Sequence, residues 1–232
     1  MQNDTTWIPG NVAQATLTER QLFIRRTYAH VLAAVIAFVG ASYALYVAGV
    51  GERILEWIST SQYSWLLVIG AFMVVGWIAT TMASQAKPGI AYLGLALEVV
   101  AQALIFSPVL FLAHEYYPGV LPQATILTGL IFGGLTTYVF VTKKDFSFLG
   151  PALLVIGLGA VGVIVMSVIF GWNLGAWFSL IMIVFASAVI LYTTSKVLHK
   201  YTSTQYVAAA LEIFAAVALL FWYVLRLFMD RR

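Results

Sequence analysis

The sequence contains no cysteine. That absence removes disulfides, thiol nucleophiles and thiolate metal sites together, and with them any inference about redox compartment. Charge is almost as scarce: 9% of the 232 residues are Asp, Glu, Lys or Arg, against about 25% in a soluble domain. With 62% hydrophobic residues and a mean hydropathy of +0.95, the chain reads as an integral membrane protein whose first partner is the lipid bilayer. No His-x-x-His or His-Glu-x-x-His spacing, Ser-His-Asp set, P-loop or dinucleotide fingerprint is recognisable. The chain therefore reads as a non-enzyme without a cofactor. A formal charge of +3 does not argue for nucleic acid, because basic loops follow from membrane topology alone.

What is present is a series of long apolar runs. Residues 1–27 form a polar tail that includes Asp4, Thr5, Thr6 and Glu19 and ends in Arg25 and Arg26. It has no basic n-region followed by an apolar core, so no cleavable signal peptide is expected. Apolar runs follow at about 28–50, 63–83, 90–113, 120–142, 147–171, 174–197 and 206–228. Each approaches the roughly 20 residues a helix needs to cross about 30 Å of hydrocarbon. The expectation is an all-α fold of seven transmembrane helices over 28–228, with a short basic C-terminus at 229–232. Pro108, inside the third run, should kink its helix.

Basic residues set the orientation. Arg20, Arg25, Arg26, Lys87, Lys143, Lys144, Lys196 and Lys200 fall on one side, and Arg53, Arg226, Arg231 and Arg232 on the other. Eight against four puts the N-terminus in the cytoplasm. The C-terminal arginines are discordant, and a re-entrant last segment would bring them inside; 206–228 has no Gly or Pro to bend it, which favours a full crossing.

The last run carries a carboxylate, Glu212, about a third of the way along. An ionised carboxylate deep in a span costs about 2.5–3.5 kcal/mol on insertion scales, so it faces a helix seam or a wet cavity. In this topology Glu212, Glu98 with Gln102, Thr136, Thr137, Thr193, Thr194 and Ser195 all fall toward the cytoplasmic half. An enclosed polar pocket, open to the cytoplasm and sealed by apolar packing outside, would explain that asymmetry. Glu212 reads either as a single-site proton or cation responder or as a hydrogen-bonded carboxyl joining helices. Glu98 reads as an ion ligand or a seam contact. Together the two glutamates are weak calcium candidates, since calcium takes about six to eight oxygens; no metal ligand set is otherwise evident. His30 reads as an interfacial or capping side chain, and Gly129 with Gly133 as helix packing.

From Ile126 the chain reads ILTGLIFGGLTTYVFVTKKDFSFLGPAL, with Lys143, Lys144 and Asp145 in its loop. Arg25-Arg26-Thr27-Tyr28, Tyr92-Leu93-Gly94-Leu95, Ser107-Pro108 and Leu191-Tyr192-Thr193-Thr194-Ser195-Lys196 accompany it. Over about residues 20–228 the chain resembles the Bax inhibitor-1 family in its bacterial branch. The resemblance implies six helices around a central seventh, pH-regulated calcium leak, and location in a bacterial cytoplasmic membrane. It also implies a gating pair of aspartates, one ending the sixth helix and one inside the seventh. Here those positions hold Thr193 and Ala216, so the di-aspartate sensor is absent; Glu212 stands one turn before Ala216. Two expectations follow: an ion-homeostasis protein of this type, or a non-conducting protein that modulates membrane partners such as a protease. Nothing in the sequence fixes an oligomeric state.

Overall fold

The structure is a computed structural model that describes residue 12 and residues 16–61, 63–85 and 87–231. Among them lie eight helices: α1 (Leu17–Val47), α2 (Val50–Ser59), α3 (Ser64–Ala83), α4 (Pro88–Tyr116), α5 (Val120–Thr142), α6 (Leu149–Phe170), α7 (Gly175–His199) and α8 (Tyr206–Asp230). All but α2 are long and apolar enough to span a bilayer, and they match the seven runs of the sequence.

Three boundaries differ from the expectation. The first helix begins at Leu17, because Thr16 and Glu19 form a capping box: the Glu19 amide donates to the Thr16 hydroxyl at 3.3 Å and the Glu19 carboxylate accepts from the Thr16 amide at 3.1 Å. Residues 17–27 of the expected tail are thus helical, while 1–11, 13–15 and Arg232 lie outside the described residues. At the other end α8 runs on to Asp230, into the expected C-terminal segment. The third difference is α2, which follows a left-handed Gly49 (φ 67°) and exposes Glu52, Arg53 and Glu56. Gly51 lets it lie against α4: a Cβ there would sit 2.5 Å from the Ser107 carbonyl oxygen.

At the centre stands α8. Two-thirds (67%) of its most apolar window is buried, against 44% for α4 and 11% for α3 and α6. It packs against α1, α3, α4, α5 and α7, whereas α6 joins the bundle mainly through α7. Small residues make this possible, since Ala208, Ala209, Ala210, Ala216 and Ala218 are all buried and admit neighbouring backbones. One apolar cluster joins α8 to α1, α3 and α4; a second, around Ile190, Leu220, Val224 and Leu225, fills the other half of the bundle.

Close helix approach occurs at Gly94 in α4, where a Cβ would stand 2.6 Å from the Ala79 carbonyl oxygen of α3. Gly129 and Gly133, expected to pack, do not: a Cβ at either would meet open space, because that face of α5 points away from the bundle. Pro108 leaves α4 helical to Tyr116. The Leu104 carbonyl, which would take the amide of residue 108, accepts the Ser107 hydroxyl at 2.8 Å instead.

Candidate functional site

The start of α1, the ends of α3, α5 and α7, and the starts of α4, α6 and α8 meet at one end of the bundle, called here the basic end. A short turn over 200–205 joins α7 to α8 as antiparallel neighbours. Lys196, in the last turn of α7, and Glu212, in the second turn of α8, therefore face each other. The Lys196 ammonium donates to Glu212 Oε2 at 2.6 Å and Oε1 at 2.8 Å, with the side chains 20% and 27% exposed. A cation near a helix C-terminus also meets the favourable end of its dipole. Two rings flank the ammonium, Tyr192 at 5.5 Å and Tyr201 at 5.2 Å to their centroids. The buried Tyr201 hydroxyl lies near the same carboxylate without forming a bond of proper geometry. Burial first, and the Glu212 charge second, push this phenol above its ordinary range.

Lys143, Lys144 and Asp145 form the loop between α5 and α6. Lys143 ends α5 in the left-handed conformation (φ 51°) and, like Lys144, is exposed. Asp145 fastens the loop to α7. Its Oδ1 accepts from the Ser147 amide at 2.8 Å and the Ser195 hydroxyl at 3.2 Å, and the Phe146 amide donates to Ser195 Oγ at 2.8 Å. Ser147, by its nearby hydroxyl and then its amide, holds the Asp145 carboxyl below the usual range, with smaller contributions from Ser195 and His199. Ser195 is fully buried and precedes Lys196, so this loop sets the end of α7 that carries the ion pair. Gly150 contributes from α6, leaving room for Tyr192: a Cβ at 150 would lie 3.1 Å from its ring.

The other candidates separate into different environments. Thr193 donates to the carbonyls of Val189 and Ile190 and so serves its own helix. Thr194, fully buried, faces Tyr28 of α1 and Thr136 of α5, and none of the three hydroxyls has a bonded partner. Glu98 is 3% exposed and accepts from the Gln102 amide at 2.9 Å. The two glutamates share no bonding partner, and among the described residues no three His, Asp or Glu side chains are grouped to hold a metal. Ala216 is buried in the second apolar cluster.

A cavity of about 540 Å³ opens at the basic end, where Glu19, Arg26, Gln85 and Thr202 line it beside apolar residues such as Phe23 and Val207. None of the pathway residues expected from the sequence lines it. Beside it His30 bridges helices. Its Nδ1 lies 2.7 Å from the Arg26 carbonyl, an acceptor only, so Nδ1 carries the proton of the neutral ring and Nε2 accepts from the Tyr92 hydroxyl at 3.0 Å. Tyr92 in turn meets the Tyr206 hydroxyl at 3.3 Å, tying α1, α4 and α8 together.

What the sequence did not reveal was the partner of Glu212. Lys196 reads as one more basic residue of the topology count. The usable signal was the short connection over 200–205, which brings the end of α7 and the start of α8 side by side and so places a long Lys196 side chain within reach of Glu212.

Comparison with known proteins adds the following. The family model described as Inhibitor of apoptosis-promoting Bax1 matches residues 20–232. An uncharacterised protein of Pseudomonas aeruginosa is 36% identical over 112 residues, covering 47% of this chain and 49% of that protein. A Golgi anti-apoptotic protein of vaccinia virus (strain Lister) is 33% identical over 113 residues, covering 47% and 46%. The matches thus span about half the length of these curated relatives. No solved structure matches.

Proposed function

The chain belongs to the Bax inhibitor-1 family, and from that premise we propose that it is a membrane ion-homeostasis protein whose closed state is held by the Lys196–Glu212 pair. The observation that carries this is one of register. Lys196 lies one turn beyond Thr193, and Glu212 one turn before Ala216, the positions where the family resemblance implies gating aspartates. Both shifts run toward the basic end. Two carboxylates held together share a proton and so respond to acid. An acid paired with a base neutralises its partner and has no shared proton to lose. In this reading the ion pair replaces the family's acid sensor with a lock that opens when the pair separates. Calcium is the cargo, not a resident cofactor, and the protein is not an enzyme.

The eight basic residues at one end support a cytoplasmic N-terminus, and the location proposed is a bacterial cytoplasmic membrane, in keeping with a relative from a bacterium. One observation favours a second reading, a non-conducting protein that modulates membrane partners such as a protease. The face of α5 bearing Gly129, Gly133 and Gly134 has open space where another helix could lie.

The experiment is calcium flux from liposomes holding the purified protein at acid and neutral pH, for wild type, Glu212→Gln and Lys196→Met. The lock predicts faster flux in both variants than in wild type. Absence of flux in all three at both pH values would remove the conducting reading and leave the second.

A further inference from the structure

Glu98 stands apart from the ion pair. Its Oε1 accepts from Gln102, while its buried Oε2 has no partner. That free oxygen points toward α3, lying 3.8 Å from where a Cβ on Gly76 would be. Helix α3 offers it no titratable side chain, since Ser64–Ala83 contains no Asp, Glu, Lys, Arg, His or Tyr. On the other helices packed on α4 the titratable groups face other residues or are exposed, the buried Tyr28 hydroxyl of α1 facing Thr194 and Thr136. On α1, His30 binds Tyr92 and Tyr46 binds Glu115; on α8, Glu212 binds Lys196 and Arg226 pairs with Asp230. On α2, Glu52, Arg53 and Glu56 are exposed, as is Tyr138 on α5. Buried Tyr223 of α8 faces Arg226. An ionised carboxylate at Glu98 would be a buried charge with one neutral donor, whereas the neutral acid carries no such penalty.

A groove of about 390 Å³ runs beside it between α2, α3 and α4, and all its lining residues are apolar. Leu97 and Ala101, one residue before and one turn after Glu98 in chain order, line it, as does Val75 next to Gly76. Trp57, Val100 and Leu104, which also line it, are exposed on the outside of the bundle. We propose that Glu98 is a proton-binding carboxyl, held as the neutral acid in the α3–α4 seam and reached from the lipid through this groove. It is then a modification site for a hydrophobic carbodiimide. The carboxylic proton moves to one carbodiimide nitrogen, Oε2 bonds to the central carbon, and rearrangement gives a stable acylurea that contains every atom of acid and reagent. This site stands whether or not the protein conducts ions.

The test treats the full chain in lipid nanodiscs at neutral pH with dicyclohexylcarbodiimide or with a water-soluble carbodiimide, followed by peptide mass mapping. The hydrophobic reagent should modify Glu98. The soluble one should modify exposed carboxyls such as Glu52 and Glu56 and leave Glu98 untouched. No adduct at Glu98, or equal modification by both reagents, overturns the proposal, and neither outcome requires a variant. Infrared spectra should also show a protonated carboxyl band in the wild type that is lost in Glu98→Gln; an unchanged band would overturn it too.

Discussion

The ammonium of Lys196 sits 2.6 Å from one carboxylate oxygen of Glu212 and 2.8 Å from the other, joining the last turn of α7 to the second turn of α8. This pair is neither a surface salt bridge nor a fully buried one, and its worth lies between the two regimes.

Removing one partner leaves the other half-buried and unbalanced. Lys196→Met or Glu212→Gln should each lower stability by about 1–3 kcal/mol, between the surface and buried limits. The double variant should lose less than the two singles together. Thermal unfolding in detergent across the four proteins measures the coupling, and strict additivity would mean that the pair contributes nothing.

Ser107 and Pro108 form a second testable couple. The Ser107 hydroxyl satisfies a carbonyl that the proline leaves without a donor, so Ser107→Ala should cost about 1 kcal/mol. In a Pro108→Ala background the restored amide reaches Leu104, and the same substitution should then cost almost nothing. Equal costs in both backgrounds would show that the hydroxyl does not compensate for the proline.

Two kinds of glycine should separate cleanly. Gly94→Ala forces α3 and α4 apart against the Ala79 carbonyl and should cost about 1–3 kcal/mol. Gly129→Ala and Gly133→Ala meet open space and should match or exceed wild-type stability, because Gly inside a helix costs about 0.5–1 kcal/mol relative to Ala. Unfolding midpoints of the three variants provide the comparison.

Asp145 makes stability depend on pH in a stated direction. Its folded carboxyl titrates below the ordinary range, so its contribution is complete above about pH 4, the unfolded aspartate value, and fades as pH falls through the folded one. Asp145→Asn should therefore be less stable at neutral pH and converge with wild type in acid. The difference should be at most about 1 kcal/mol, because the side chain is open to solvent. A gap that widened in acid would reverse the sign.

The seven spans were legible because run length alone identifies a membrane helix. Helix α2 was not, since its ten residues carry Glu52, Arg53 and Glu56 and never reach spanning length. The start of α1 was hidden for a related reason: hydropathy marks where lipid begins, while the Thr16–Glu19 box marks where the helix begins. Spacing showed which glycines fall four apart but not which face of the helix meets a neighbour. Gly129 and Gly133 consequently look outward, and Gly94, in the less specific Tyr-x-Gly-Leu element, makes the close crossing. At the site, Glu212 stood out as a charge in an apolar span, whereas Lys196 was concealed among topology-setting cations until the hairpin paired them.

The central position of α8 also governs the order in which the bundle can be built. Six spans precede it in the chain, and five helices bury a face against it. Domains generally fold from the N-terminus during synthesis, yet here α1, α3, α4, α5 and α7 each keep part of an inward face without its partner until α8 is inserted. The earlier spans can pack on one another but leave the centre unfilled, and the last turn of α7 keeps Lys196 without its partner until Glu212 arrives. The closing of that hairpin would mark the moment at which the bundle becomes a single packed unit.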